Sequence, residues 1–192
     1  MGQLTQFKLD LIDRACGEAR LLGAYLRGDR ALEERIDVYC ATVGIPATPL
    51  VKEHYSAVFI SWCMRSAGAS PAEFPAAAGH WQYAELSARN AENGTGLFWA
   101  RQLQSYAPVL GDIIHFNRCG GTIDFNWIRE GRGPYKGESG IVIELKERKV
   151  IVAIGNLEPA GNVAISSFAL AETGHVLQRA IDPFVCVIEV GK

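Results

Sequence analysis

The sequence predicts an α+β fold in a single domain, and three observations carry that reading. Helical apolar spacing dominates the first half of the chain, period-two runs of β-branched residues dominate the second, and no internal repeat or low-complexity segment interrupts either. A chain of 192 residues fits one core at roughly 100 to 200 residues per domain. The expected organisation is one unit over 1–192, with a helical part over about 1–105 and a sheet part over about 106–192. Helices would pack on a mostly antiparallel sheet of about five strands.

Leu4, Phe7, Leu11, Ala15, Leu22 and Leu26 recur at helical spacing, with Asp10, Asp13, Arg14 and Arg20 between them, which predicts a first helix ending near Gly28. A second runs from Asp29 to Val43 and is stopped by Gly44-Ile45-Pro46. Pro49 opens the approach to a third, the apolar run Tyr55 to Gly68, for which Gly68 is a fitting C-cap. Pro71 and Pro75 then break the chain before a helix near His80 to Asn90. The predicted strands are Asp112 to Phe116, Gly140 to Leu145, Val150 to Ile154, Val163 to Ile165 and Phe184 to Val190. Between Asn117 and Gly137 lies a Gly-rich stretch with Trp127 and Tyr135, too long for a simple hairpin turn and read as a lid.

Composition narrows the function classes. Hydrophobic residues make up 48%, charged residues 21%, and the formal net charge is −2, so there is no electrostatic reason to expect nucleic acid or an anionic membrane as partner. No stretch approaches the ~20 apolar residues of a membrane span. Met1 to Lys8 lacks the basic segment and apolar run of a secretory signal, so the expected localisation is cytoplasmic as encoded, or export by a leaderless route. Cys16, Cys40, Cys63, Cys119 and Cys186 form neither a zinc spacing nor a disulfide framework, and no histidine pair has metal spacing. No metal or cofactor is expected. Cys119 alone lies outside an apolar pattern and is a candidate reactive thiol, while Gly120-Gly121 is no phosphate loop, because no Gly-Lys-Ser/Thr follows.

Candidate chemistry begins with Ser56, in the first turn of the apolar third helix. There a hydroxyl is either a helix cap or a nucleophile, and the second role needs a base. His80 is the candidate base; the alternative is a histidine packed on Trp81 or bonded to a loop carbonyl. A hairpin turning at Glu147-Arg148 would bring Glu138 opposite Asn156 at its open end. Ser56, His80 and Glu138 would then form a triad of the Ser, His, carboxylate type. His115 reads as a satisfied or solvent-facing strand residue, His54 as a residue that could line the cleft, His175 as a turn residue, and Asp112 as a structural group bonding turn amides. Trp127 and Tyr135 either stack on a sugar or pin the lid.

Tyr55-Ser56-Ala57-Val58-Phe59-Ile60-Ser61-Trp62 with Ser66-Ala67-Gly68, Pro108 to Phe116, Ser139-Gly140-Ile141-Val142 and Ile154-Gly155-Asn156 stand in an order that resembles the CHAP amidases. These are relatives of the NlpC-type cell-wall peptidases in the papain-like superfamily. The resemblance runs from about Arg35 to Val190. Within that group the chain is similar to an uncharacterised bacterial branch with a serine at this position and a histidine opening the next helix, as His80 does. The resemblance implies a papain-like fold and cleavage of an amide or peptide bond of peptidoglycan. Ser56 stands where those enzymes carry cysteine, Glu138 stands where they carry histidine, and Asn156 conforms to the pattern.

In that frame Ser56 attacks, His80 accepts its proton, Glu138 with Asn156 orients the base, and amides at the start of the Ser56 helix bind the oxyanion. Tyr55, Trp81, Arg118 and Trp127 are the expected substrate-binding residues. A leaderless chain of this kind suits an exported effector or a phage lysis protein, with an immunity or carrier protein as its partner. The loss of both cysteine and histidine at the matched positions equally fits a non-catalytic module that binds a peptide, glycan or protein, and a hydroxyl nucleophile also fits ester or acyl transfer.

Overall fold

The computed structural model describes residues 4–192. Helix α1 (Gln6–Leu22) begins where the Thr5 hydroxyl accepts from the Lys8 amide, and it buries Phe7, Leu11, Ala15, Ala19 and Leu22. It ends at Gly23 rather than near Gly28, and Leu26 is exposed. Helix α2 (Arg30–Val43) ends on Gly44, whose φ of 74° places it in the left-handed region that glycine adopts without a Cβ clash. Pro49 starts a short helix of its own, α3 (Pro49–Glu53), capped by the Thr48 hydroxyl. A break at His54 and Tyr55 separates it from α4 (Ser56–Ser66), which closes on Ala67 instead of Gly68. Helix α5 (His80–Asn93) follows.

The sheet has six strands: β1 (Phe98–Arg101), β2 (Ile113–Asn117), β3 (Gly137–Lys146), β4 (Lys149–Leu157), β5 (Asn162–Ala169) and β6 (Phe184–Val190). Their order is β1-β6-β2-β3-β4-β5, with every neighbouring pair antiparallel. The sequence reading missed β1, a strand of only four residues that lies inside the stretch expected to be helical. The long segment between β2 and β3 carries a short helix, α6 (Phe125–Arg129). Among the described residues no helix is long and apolar enough to cross a membrane.

Strand alternation divides the core in two. Ile113, Ile141, Ala153 and Ile188 face the helices, whereas Ile114, Val142, Val152, Val187 and Phe184 face a second cluster closed by Leu103, Leu170 and Val176. Every residue of β2 is buried, since both faces of that strand are covered. Asp112, at its start, joins distant parts of the chain. Its carboxylate accepts from Lys8 Nζ at 3.2 Å, Tyr106 Oη at 2.9 Å and the amides of Val109 and Val190 at 2.9 and 3.1 Å. It bonds a turn amide, as expected, and also ties α1 to β2 and β6.

Helix α4 is buried at every position from Ser56 to Met64, as a helix apolar on all sides must be. It lies between α1 and α2 on one side and β3 and β4 on the other. Gly155 makes the second contact close: a Cβ there would stand 2.8 Å from the Phe59 Cβ, so the helix rests on bare backbone. Gly155→Ala is therefore expected to lower unfolding stability by ~1–3 kcal/mol in urea denaturation through overpacking. Gly17→Ala, on an exposed α1 position with nothing within 4 Å, is expected to raise it by ~0.5–1 kcal/mol.

Candidate active site

Tyr55 is the N-cap residue of α4, and no side chain caps that helix. Ser56, the first helical residue, turns its hydroxyl away from the helix amides and places Oγ 2.7 Å from His80 Nε2. The capping role considered for this serine is thus not the one it fills. His80 opens α5, whose preceding amide, that of Gly79, donates to the Gln82 side chain at 3.1 Å. Both residues are buried, Ser56 at 3% and His80 at 5% exposure, yet both line the floor of a cleft of about 430 Å³. Arg27, His54, Arg118, Cys119, Tyr135 and Glu158 form much of its wall.

The two ring nitrogens of His80 meet different partners. Nε2 faces Ser56 and also Glu138 Oε1, at 3.1 Å. Nδ1 faces the Tyr83 hydroxyl and Ser139 Oγ, the latter at 3.1 Å. Glu138 is held by the Ser139 amide, which donates to Oε1 at 3.0 Å, and by Arg118 Nη1, which donates to Oε2 at 2.9 Å. A carboxylate that orients the base of a Ser, His, carboxylate triad bonds the nitrogen remote from serine. Glu138 instead shares the nitrogen that Ser56 uses, and Tyr83 with Ser139 takes the orienting position.

Asn156 makes no hydrogen bond to the imidazole. Its backbone has φ 58°, a left-handed conformation that asparagine tolerates, at the point where the β4–β5 register shifts between Ile154 and Leu157. This bulge turns the amide group elsewhere: Nδ2 donates to the Glu53 carbonyl at 2.9 Å and Oδ1 accepts from Arg27 Nη2 at 3.0 Å. Asn156 therefore braces the cleft wall. Arg118 spans the hairpin mouth from Glu138 to the Asn156 carbonyl, at 3.4 Å, and to Glu158, at 3.0 Å, while Arg27 meets Glu158 at 2.6 Å. The hydrogen bond from Arg27 holds the Glu158 carboxyl below its ordinary range, with Arg118 adding to the effect.

Of the residues expected to bind substrate, only Arg118 lines the cleft. Tyr55 is buried and donates from its hydroxyl to the Gly161 carbonyl at 3.0 Å. Trp81 lies against Gly79, where an added Cβ would meet its indole at 2.8 Å. Trp127 donates to the Gly133 carbonyl at 3.2 Å, beneath Arg132, and pins the loop. Of Trp127 and Tyr135, Tyr135 is the one at the cleft.

Residues that the sequence reading left out of the site include Tyr83, Ser139, Arg27 and Glu158. Of the two alternatives for His115, satisfied or solvent-facing, the structure has the first: both ring nitrogens are partnered and the residue is fully buried beside the site. The available signal was the strand pairing, which sets His115 opposite Ser139. Nδ1 of His115 contacts Ser139 Oγ at 2.9 Å and Nε2 contacts the Tyr135 hydroxyl at 2.6 Å. Burial, reinforced by the neighbouring His80, pushes its pKa down to about 3. Burial likewise raises the Tyr83 and Tyr135 phenols and the Cys186 thiol.

The depressed His115 pKa has a stability consequence of defined sign. Above the ordinary value of 6.5 the ring is neutral both folded and unfolded and contributes nothing. Between pH 6.5 and about 3 the unfolded chain takes up a proton that the folded chain refuses, so stability falls with pH. The slope approaches ~1.4 kcal/mol per pH unit, or about 2 kcal/mol lost at pH 5 relative to pH 7.5. Urea unfolding across this range should show that loss, and His115→Gln should flatten it.

The sequence model of a bacterial family, DUF2272, described as "uncharacterized protein conserved in bacteria", matches residues 30–184. No curated protein and no solved structure matches the chain. The matched span takes in the Ser56 helix, His80, the Glu138 strand and the Arg118 bridge, and on that match the chain belongs to the DUF2272 family.

Proposed function

We propose that the chain is a serine-dependent hydrolase of papain-like architecture that cleaves an amide or peptide bond, with peptidoglycan peptides as the substrate class. The observation that carries this reading is the 2.7 Å contact between Ser56 Oγ and His80 Nε2 at the floor of a cleft. That distance is hydrogen-bond reach for a nucleophile and its base. The papain-like assignment and the substrate class rest on the order of motifs that resembles the CHAP amidases. A buried central helix with the nucleophile position at its N-terminus, packed on an antiparallel sheet, supports them.

In this reading Ser56 Oγ attacks the carbonyl carbon and its proton passes to His80 Nε2. The first amides of α4 have no acceptor within the helix and donate to the developing oxyanion, aided by the positive end of the helix dipole. His80 then protonates the leaving amine, and water, deprotonated by the same nitrogen, hydrolyses the acyl ester on Ser56. Glu138 stabilises the imidazolium formed in each half-reaction, because its carboxylate stands 3.1 Å from the protonated nitrogen. Arg118 keeps that buried carboxylate paired. The same chemistry admits esters as acyl donors.

The position of Glu138 also favours a second reading. An anion beside Nε2 draws a proton onto the atom that must be bare to activate Ser56. A chain with that proton fixed in place would use the cleft only to bind a peptide, glycan or protein.

Labelling with a fluorophosphonate, read by intact-protein and peptide mass spectrometry, separates the two. The hydrolase reading expects one adduct on Ser56, none in Ser56→Ala, and labelling slowed by ~10²-fold or more in His80→Gln, the usual contribution of a general base. It also expects wild type, and not Ser56→Ala, to release products from peptidoglycan fragments. An unlabelled wild-type protein that releases nothing would leave the cleft as a binding site.

A further inference from the structure

We infer that His115 is a positioning residue for His80, and that the two buried rings carry their protons in a coupled, mutually exclusive arrangement transmitted by Ser139 and Tyr83. The inference deepens the hydrolase reading, which supplies the reason why the protonation of His80 matters.

The rings lie 6.1 Å apart and nearly stacked, with Ser139 Oγ between their Nδ1 atoms at 3.1 Å from His80 and 2.9 Å from His115. The Tyr83 hydroxyl contacts both His80 Nδ1 and, at 2.8 Å, Ser139 Oγ. Beyond His115 the chain of contacts ends at Tyr135, on the cleft wall. Gly137 makes room for this end, since a Cβ there would stand 2.8 Å from His115 Cε1 and 3.0 Å from the Tyr135 ring. Ser139 and His115 are both 0% exposed, so each of their polar atoms depends on the others for a partner.

Each hydroxyl has one proton to donate, and a neutral imidazole has one donor and one acceptor nitrogen. His115 is neutral near pH 7 because burial depresses its pKa to about 3. Two complete donor sequences result. In the first, His80 Nδ1–H donates to Tyr83, Tyr83 to Ser139, Ser139 to His115 Nδ1, and His115 Nε2–H to Tyr135. His80 Nε2 is then bare and accepts from Ser56. In the second every donor reverses: Tyr135 donates to His115 Nε2, His115 Nδ1–H to Ser139, Ser139 to Tyr83, and Tyr83 to His80 Nδ1. His80 Nε2–H then donates to Glu138, and Ser56 has no base.

The two arrangements hold the same number of protons and differ in which nitrogen of each ring carries one. A mixed arrangement would set two lone pairs or two N–H groups against one another among side chains buried from solvent, where an unmatched polar group is strongly disfavoured. His80 is base-competent only with His115 in its Nε2–H form. Glu138, beside Nε2 of His80, favours the opposite arrangement.

Long-range 15N–1H NMR of the imidazoles in unliganded wild-type protein near pH 7.5 reads both tautomers without any activity. The expected spectrum pairs a protonated Nε2 on His80 with a protonated Nδ1 on His115. Glu138→Gln removes the anion and should move the His80 proton to Nδ1 and, with it, the His115 proton to Nε2. Ser139→Ala and, separately, Tyr83→Phe interrupt the chain, and in either background Glu138→Gln should no longer move the His115 proton. Wild-type rings protonated on like nitrogens, or a His115 that ignores Glu138→Gln while His80 responds, would overturn the inference. Coupled tautomers in a protein that no fluorophosphonate labels would sink the hydrolase reading and leave the coupling standing.

Discussion

A helix that must disappear into the protein on all sides can settle only where the surface beneath it is nearly flat. Helix α4 finds that surface on β3 and β4 because residue 155 has no side chain, and Phe59 lies directly against its backbone. The same seating fixes the height of Ser56 above the sheet, since the serine is the first residue of that helix. Its partners come from elements anchored independently: His80 from the start of α5, and Glu138 and Ser139 from the start of β3. The 2.7 Å contact is thus the meeting point of three separately placed segments and would not survive a displacement of α4 by an ångström.

Around that point the protein buries a cluster of polar side chains, and the way each group is satisfied explains its shape. Ser56, His80, Glu138, Ser139, His115 and Asn156 are all at or below 5% exposure. The carboxylate among them is tolerable because Arg118 and the Ser139 amide complete its bonding. The arginines form a second tier: Arg118 and Arg27 converge on Glu158, and Arg27 also holds the Asn156 side chain. The open mouth of the β3–β4 hairpin is closed by charge pairing where strand pairing has stopped, and this pairing forms one wall of the cleft.

Most of the architecture could be read from pattern. The period-two runs located five of the six strands, and the turn at Glu147-Arg148 falls between Lys146 and Lys149, the last paired residues of β3 and β4. Strand β1 escaped because four residues give too short a pattern to separate from a helix end, and because its partner, β6, lies some 90 positions away. Helix α3 escaped because Pro49 can open a helix as readily as a loop. In the site, Ser56, His80 and Glu138 were visible as polar residues at the ends of apolar elements. Tyr83 was hidden because one tyrosine on the buried face of α5 looks like any core aromatic, and His115 was hidden because alternation in a strand tells which face a residue takes and not what lies on that face.

The amino-acid sequence by itself determined the class of fold, the order of most elements and the apolar helix headed by serine, because local periodicity and end signals act over a few neighbouring residues. It also carried the hairpin whose open end brings the neighbourhoods of Glu138 and Asn156 together, beyond the pairing of Gly140 with Ile154. Only the tertiary structure decided which nitrogen of His80 each partner meets, that Asn156 bends away through a left-handed backbone, and that a second histidine stands behind the first. Those choices depend on distances between segments far apart in the chain. A difference of one ångström or one bulged residue redirects a side chain while leaving every local pattern unchanged.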